Sequence, residues 1–355
     1  MNITAPYKKH MVVWMDIQGF KNKVRSSQHD QKEIQSLLDT LRLAKTLAER
    51  FSRRNSVATF DVGVFSDSIM MSCINPDISA LYGAIGMVSF FQAVMAGQRC
   101  FLRGAVLVGP HHSEEGIYFG PTMVDAQEIE KCADWFRVVI DPNLPNEIEP
   151  LDRKKSRQLQ DNVDVPSSWG SNSDDWKQMN QKLKNEIDMF TRLDKGVLYV
   201  DYLRCAFNIL TPMKWARQLS NSLRTQIPRV DDIDLLPTHK ESIEEAVKDD
   251  DVRDDSKLLT RYNALAVYHN DALKKFFSVL PTESDTIETT ASPDFKFMYG
   301  YLSTIFTKGG IHMSEAEKKN YWNGKIIELT QLKANLRDYE IELTSIFPQQ
   351  SAKSS

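Results

Sequence analysis

Two aspartates stand where an ionised carboxylate is costly unless it has a task. Asp16 ends the apolar run Met11-Val12-Val13-Trp14-Met15, and Asp67 sits in Phe65-Ser66-Asp67-Ser68. The latter hinges two β-prone runs, Val57 to Phe65 and Ile69 to Ile74. A hairpin folded there and laid beside the first strand brings both carboxylates to one sheet edge. Two close like charges are unfavourable unless a cation lies between them. Ligation by oxygen alone suits Mg²⁺ or Mn²⁺, which complete their shells with water and substrate phosphate. Gln18-Gly19-Phe20 follows Asp16 and starts a turn whose backbone N–H groups could hold phosphate, above all where a helix begins. A plainer alternative makes Asp16 a helix N-cap and Asp67 a turn residue. Pattern alone leaves both open.

The elements that must position these residues occupy the first 141 residues. Met11 to Met15 reads as a buried strand. From Ile34, apolar residues at Leu37, Leu38, Leu41, Ala44, Ala48 and Phe51 follow one helix face. The 57–74 hairpin comes next, then a buried helix from Asp77 to Gly97 and a strand from Phe101 to Gly109. A polar turn at His111 to Gly116 leads into a return strand, Ile117 to Phe119. Gly120-Pro121-Thr122 opens a helix with Met123, Ala126, Ile129 and Ala133 on one side. Phe136 to Ile140 closes the segment as a strand. The succession predicts an α+β fold with a ferredoxin-like βαββαβ sheet and helices on one face.

Beyond Asp141 the pattern weakens, and the expected organisation is a core over 1–141, an extension with loops and late strands over 142–230, and an acidic linker with a helical region over 231–355. Pro166 to Asp175 reads as an exposed loop, and Gly196 to Asn208 as a strand followed by a helix. Asp231 to Asp255, with Asp249-Asp250-Asp251 at its centre, reads as a solvated linker rather than a metal site. Leu258, Tyr262, Leu265, Ala266, His269, Leu273, Phe276 and Phe277 form one helical seam, in which His269 is expected as a hydrogen-bonded core residue. Leu329, Leu332, Leu336, Tyr339 and Leu343 suggest a second seam from Tyr321 to Phe347, packed on the body or on a second subunit.

Composition narrows the function classes. The 355 residues carry 44 Lys+Arg against 48 Asp+Glu, a net charge of −4, which argues against a nucleic-acid coat. There is no apolar run of the roughly 18–20 residues that a membrane span needs, and Met1 to His10 lacks a signal-peptide core. Cys73, Cys100, Cys132 and Cys205 are too scattered for a zinc motif and read as reduced thiols. The expectation is a cytoplasmic globular protein.

Four motifs in order carry a family resemblance. Asp16-Ile17-Gln18-Gly19-Phe20 resembles the D-I-x-G-F strand end of the class III nucleotide cyclase catalytic domain, and Phe65-Ser66-Asp67-Ser68 resembles its second metal carboxylate in a hairpin. Arg103 to Gly109 is similar to the strand after the third helix, and Gly120 to Glu130 to the Gly-started helix ending in L-E. Together they span roughly residues 10–141. Within that family, the F-S-D-S hairpin, the R-G strand, the G-P helix start and the long helical C-terminal part most resemble the pyrimidine cyclases of bacterial Pycsar anti-phage systems. The resemblance implies conversion of UTP, or else CTP, to the 3′,5′-cyclic monophosphate and pyrophosphate, as a signal for a separate effector protein. It implies two Mn²⁺ or Mg²⁺ ions per site, held by Asp16, Asp67 and the Ile17 carbonyl, and a homodimer with composite sites. Gln18, Gly19, Phe20, Phe65, Ser66 and Arg103 are the implied nucleotide and phosphate contacts.

Departures from the purine cyclases run through the same helix. Val124 and Glu128 stand where those enzymes place a ribose-orienting Asn and a transition-state Arg, and Gly63 and Ile117 stand near the purine-selecting positions. Either other groups read a different base, or the domain is a catalytically inactive nucleotide- or partner-binding module. A polymerase-like palm shares the two-carboxylate logic. Arg103 could contact phosphate or pair with an acid. His111-His112, Lys21 and Lys23 read as solvated groups, and Lys195-Gly196 as a possible late phosphate contact.

Overall fold

The computed structural model describes residues 7–46, 59–152, 176–219, 235–279, 293–298 and 313–347, with short gaps inside the first, second and fifth of these ranges. Two compact units emerge, one formed by Met1–Asp164 with Asn172–Tyr202 and the other by Val165–Ser171 with Leu203–Ser355. The first unit therefore extends past the expected core boundary at 141 and takes in the late strands.

The first unit is built on a mixed eight-stranded sheet. Its strands are β1 (Lys8–Ile17), β2 (Asp61–Phe65), β3 (Ser68–Ile74), β4 (Leu102–Glu114), β5 (Ile117–Phe119), β6 (Val138–Ile140), β7 (Thr191–Asp194) and β8 (Val197–Val200). They lie in the order β2-β3-β1-β4-β6-β8-β7, with β5 folded back on β4. Among the described strands only β4 and β6 run parallel, joined through helix α2 (Pro121–Cys132), as a parallel pair requires a crossover. The other neighbours pair antiparallel.

β1 is central, which explains its composition. Met11 to Met15 are each 9% exposed or less, covered on both faces, so the strand reads as a continuous apolar run rather than an alternation. Pleating places Trp14 and Asp16 on one face, and Trp14 packs there with Met70, Ala105 and Ala126 of α2. Helix α1 (Ile78–Ala96) starts at Asp77, whose carboxylate accepts from the N–H groups of Ser79 and Ala80. Against the expectation of no such run, this helix is long and apolar enough to cross a membrane, yet 78% of its apolar window is buried within the protein, as in a core helix.

Several boundaries differ from expectation. β4 continues through His111 to Glu114, because its end pairs with β5 instead of breaking into a turn. His111 is consequently fully buried rather than solvated, whereas His112 stays partly exposed. The helix expected from Ile34 to Phe51 is helical at its described positions up to residue 46, and the remainder lies outside the described residues. The loop at 166–175, Lys21 and Lys23 also lie outside them. Helix α3 (Trp176–Phe190) leads into β7, and β8 is followed by helix α4 (Tyr202–Leu219), the expected strand-then-helix.

The second unit corrects two readings. The expected acidic linker folds as helix α5 (Leu235–Ala246), which buries Leu235, Leu236, His239 and Ile243, followed by a short helix whose N-cap is Asp249. The seam of helix α6 (Ser256–Val279) is buried at Tyr262, Leu265, Ala266, His269, Leu273 and Phe277. The C-terminal seam is not one helix. Helix α7 (Glu315–Ala334) buries Trp322, Ile326 and Leu329, and the chain then breaks into two single-turn helices, Leu336–Tyr339 and Leu343–Ile346.

Candidate active site

β1 delivers Asp16 to its C-terminal end, directly opposite Ser68 of β3 and Arg103 of β4. Phe65 and Ser68 pair as the last rung of the β2–β3 hairpin, so Ser66-Asp67 is a two-residue loop. Ser66 has φ 54°, the left-handed conformation that tight hairpin turns use and that a serine adopts only at a cost. The Ile17 N–H donates to the Asp67 carbonyl at 2.8 Å, tying the loop to the end of β1. Asp16 and Asp67 thus lie close together at one end of the strands, near enough for the Asp67 charge to act on Asp16.

Asp16 is electrostatically strained there. Its carboxyl is pushed up to about 7, first by burial and then by the negative charges of Glu130 and Asp67. The Arg103 charge and a hydrogen bond from the Gln18 side-chain amide, 2.8 Å to Oδ2, act in the opposite direction. The plainer N-cap reading loses ground, because the hydrogen bonds at Asp16 come from a side chain and the strand ladder rather than a helical turn.

Arg103 does not point at an open phosphate site. Its Nε pairs with Glu130 of α2, and its Nη2 lies 3.9 Å from Asp16 Oδ2, with Arg103 and Glu130 side chains only 12% and 6% exposed. Glu130 was missed in the sequence because its signal was an acid on an otherwise buried stripe: Thr122, Ala126 and Glu130 recur every four residues and face inward. Gly104, next to Arg103, is required by close approach. A Cβ there would collide with the Trp14 carbonyl, so any side chain would push β4 away from β1 beside the site.

The turn after Asp16 is partly engaged. The Gln18 N–H donates to the Phe101 carbonyl at 2.9 Å, so this donor belongs to the fold rather than to a phosphate cradle. Gly19 has φ +75°, Phe20 is the first residue in helical conformation, and residues 21–23 lie outside the described residues. Phe20 is buried, which leaves it a packing role plus its backbone N–H. Ile17 is buried with only 2% exposure.

Phe65 is 42% exposed, and its ring meets Tyr118 edge-on with centroids 5.5 Å apart. Both rings fill the space above Gly63. Asp61 accepts from Tyr118 Oη at 2.9 Å and from Ser113 Oγ at 2.5 Å, fastening the β4–β5 hairpin over β2. Burial, together with this carboxylate, raises the Tyr118 phenol well above its usual range. Val124 and Ile117 are exposed, and Glu128 lines a separate groove of about 490 Å³ between α2, β6 and β8 with Asp125 and Arg137. None of these four substituted positions is brought beside Asp16.

Among the described residues, no group of three or more His, Cys, Asp or Glu is arranged to hold a metal ion. Two adjoining carboxylates and a backbone carbonyl nevertheless fit a hard divalent cation that keeps part of its shell as water or phosphate. The mutual repulsion at Asp16 is the kind that such a charge relieves. No protein-family model matches the chain, and no curated protein matches it.

Proposed function

We propose that this chain is a metal-dependent pyrimidine nucleotide cyclase, using UTP in preference to CTP, in a class III cyclase-type ferredoxin-like arrangement. The observation that carries the reading is the closeness of Asp16 and Asp67 at one end of the sheet's strands, with Asp16 pushed up to about 7 by burial and neighbouring acids. An arrangement this unfavourable in isolation is what a cation site looks like before charge compensation.

In this reading Asp16, Asp67 and the Ile17 carbonyl hold Mn²⁺ or Mg²⁺, two ions per site. When bound, these ions acidify the ribose 3′-hydroxyl and neutralise the triphosphate. The chain's own part is placement. The hairpin loop fixes Asp67 against β1, and Gln18 orients the Asp16 carboxylate. Gly19 and Phe20 present the start of a helix towards phosphate. The 3′-oxygen forms a bond to the α-phosphorus as the bond to pyrophosphate breaks, and the hydroxyl proton passes to solvent. Positioning and charge stabilisation supply the catalysis. Exposed Phe65 and Ser66 border the carboxylates and supply the face against which the nucleotide lies. The resemblance further suggests a homodimer and a cyclic product read by a separate effector in cytoplasmic anti-phage defence.

A second reading, a cyclase-like module that binds nucleotide without turnover, draws on Glu128: an exposed acid where purine cyclases place a cation cannot stabilise a phosphoryl transition state. Incubating the protein with each nucleoside triphosphate and Mn²⁺, then separating products by thin-layer chromatography, decides. Cyclic UMP is the expected product, with cyclic CMP slower and purine triphosphates near background. Faster turnover of ATP or GTP would overturn the pyrimidine assignment. An extended primer or linear dinucleotide would point to a polymerase-like palm, and binding without any product would favour the module.

A further inference from the structure

Behind Asp16 lies a buried ion pair that the two-carboxylate site does not itself require. Arg103 and Asp16 are direct cross-strand partners, and the Arg103 guanidinium reaches to 3.9 Å from Asp16 Oδ2. At that separation the two already form a long ion pair, which a shift of the guanidinium towards Asp16 would tighten. It is held back on its other side, where Nε pairs with Glu130. We propose that Glu130 is a positioning residue for the cation site: it holds the Arg103 guanidinium against α2 and so leaves the Asp16 carboxylate available to a divalent cation. The inference rests on the metal-dependent reading above and assigns a role to a residue outside the metal ligands.

The placement of Glu130 argues for a task beyond fastening a helix. It occupies the inward stripe of α2, one turn after the fully buried Ala126, with its side chain 6% exposed. A buried carboxylate must be paired, and here a partner is the Arg103 guanidinium, which also borders Asp16. Among the described residues, Asp16 and its neighbours Asp67 and Glu130 bring three carboxylates beside one guanidinium, that of Arg103. With Glu130 in place, one acid compensates Arg103, and the charge of the other two remains for a divalent cation. Without Glu130, Arg103 keeps Asp16 as an acid within ion-pair range, and a cation would have to displace a guanidinium from its own ligand.

The test measures Mn²⁺ affinity of the full chain without nucleotide, from the electron paramagnetic resonance signal of free Mn²⁺, with circular dichroism and thermal unfolding in parallel. Glu130→Gln should bind Mn²⁺ about tenfold more weakly or worse, the scale typical of groups that orient metal ligands. Glu130→Gln combined with Arg103→Gln should recover most of the parental affinity, because the competing guanidinium is gone. A merely structural pair predicts a lower melting temperature with unchanged Mn²⁺ affinity, and that result overturns the proposal. If Glu130→Gln alone fails to fold, the double variant, which removes both members of the Arg103–Glu130 pair, decides: near-parental affinity supports the role, and affinity as weak as that of Asp16→Asn overturns it. Asp16→Asn also separates the two levels of inference. Undiminished Mn²⁺ binding in Asp16→Asn overturns the metal reading itself, whereas loss there with parental affinity in Glu130→Gln overturns the role of Glu130 alone.

Discussion

At the scale of single residues, Asp16 concentrates the conflict between stability and function. Its carboxyl favours the protonated form in the folded state, pushed up to about 7 by burial, Glu130 and Asp67. A raised carboxyl binds its proton more tightly folded than unfolded, so its contribution to stability is present at low pH and lost as pH rises from about 4 through about 7. Asp16→Asn in metal-free buffer should therefore unfold at a higher temperature than the parent at pH 8, with the gap closing towards pH 4. The same variant should lose Mn²⁺-dependent turnover, and adding a change at Asp67 should cost little more, since both residues serve the same cations. An N-cap role predicts the reverse: a loss of about 0.5–2 kcal/mol on truncation with turnover retained. Gly104 offers a second test at this scale. Gly104→Ala drives a methyl group into the Trp14 carbonyl, so it should destabilise by about 1–3 kcal/mol, as overpacked cores do, and should weaken Mn²⁺ binding by separating β4 from β1. Chemical denaturation and a metal titration on one preparation would read both effects.

At the scale of elements, what was legible from sequence depended on which force decided each one. Central strands announce themselves, because a segment covered on both faces must be apolar throughout, and Met11 to Met15 is. The Ser66-Asp67 loop was legible because two β-prone runs met at turn-forming residues. Glu130 was not, since an inward-facing acid shows its meaning only once its partner Arg103 is placed by another strand. The acidic segment 231–255 misled in the opposite sense. Its charges suggested solvent, while Leu235, Leu236, His239 and Ile243 supplied an inward helix face. The same helix contains an element-level prediction. His239 and His269 stack with their Nδ1 atoms 2.9 Å apart, and His269 Nε2 lies 2.8 Å from the Tyr339 carbonyl. His269 must donate from Nε2, so its Nδ1 accepts and His239 donates; both rings are neutral. Burial holds His269 down to about 4 and His239 well below its usual range, with Lys240 also disfavouring a charge on His269. Lowered histidines contribute stability above about pH 6.5 that is lost as pH falls towards 4, because the unfolded chain takes up the protons. His269→Gln should flatten that decline and lose about 1–3 kcal/mol at neutral pH, the scale of a buried donor or acceptor left unpaired. Equilibrium unfolding across that pH range checks both.

At the scale of the whole molecule, the chain divides its labour between two compact units, each with its own buried core. The first unit holds the carboxylates on a sheet in which β1 is an interior strand, and the second is helical among its described residues. Trp322 of α7 is fully buried and lies on one stripe with Ile326 and Leu329. Truncating such a side chain removes its transfer free energy and leaves a void, so Trp322→Ala should destabilise the second unit by about 3–5 kcal/mol. A ligand that binds the native first unit raises that unit's apparent stability in proportion to the logarithm of its concentration over its dissociation constant. Calorimetry should therefore resolve two unfolding transitions with separate handles. Mn²⁺ and Asp16→Asn should shift one of them, and Trp322→Ala should lower the other without moving the first. Turnover measured below both transitions should survive Trp322→Ala and not survive Asp16→Asn. A single transition that every one of these changes moves together would mean that the two cores unfold as one cooperative body, and that the helical unit is part of what holds the carboxylates in place.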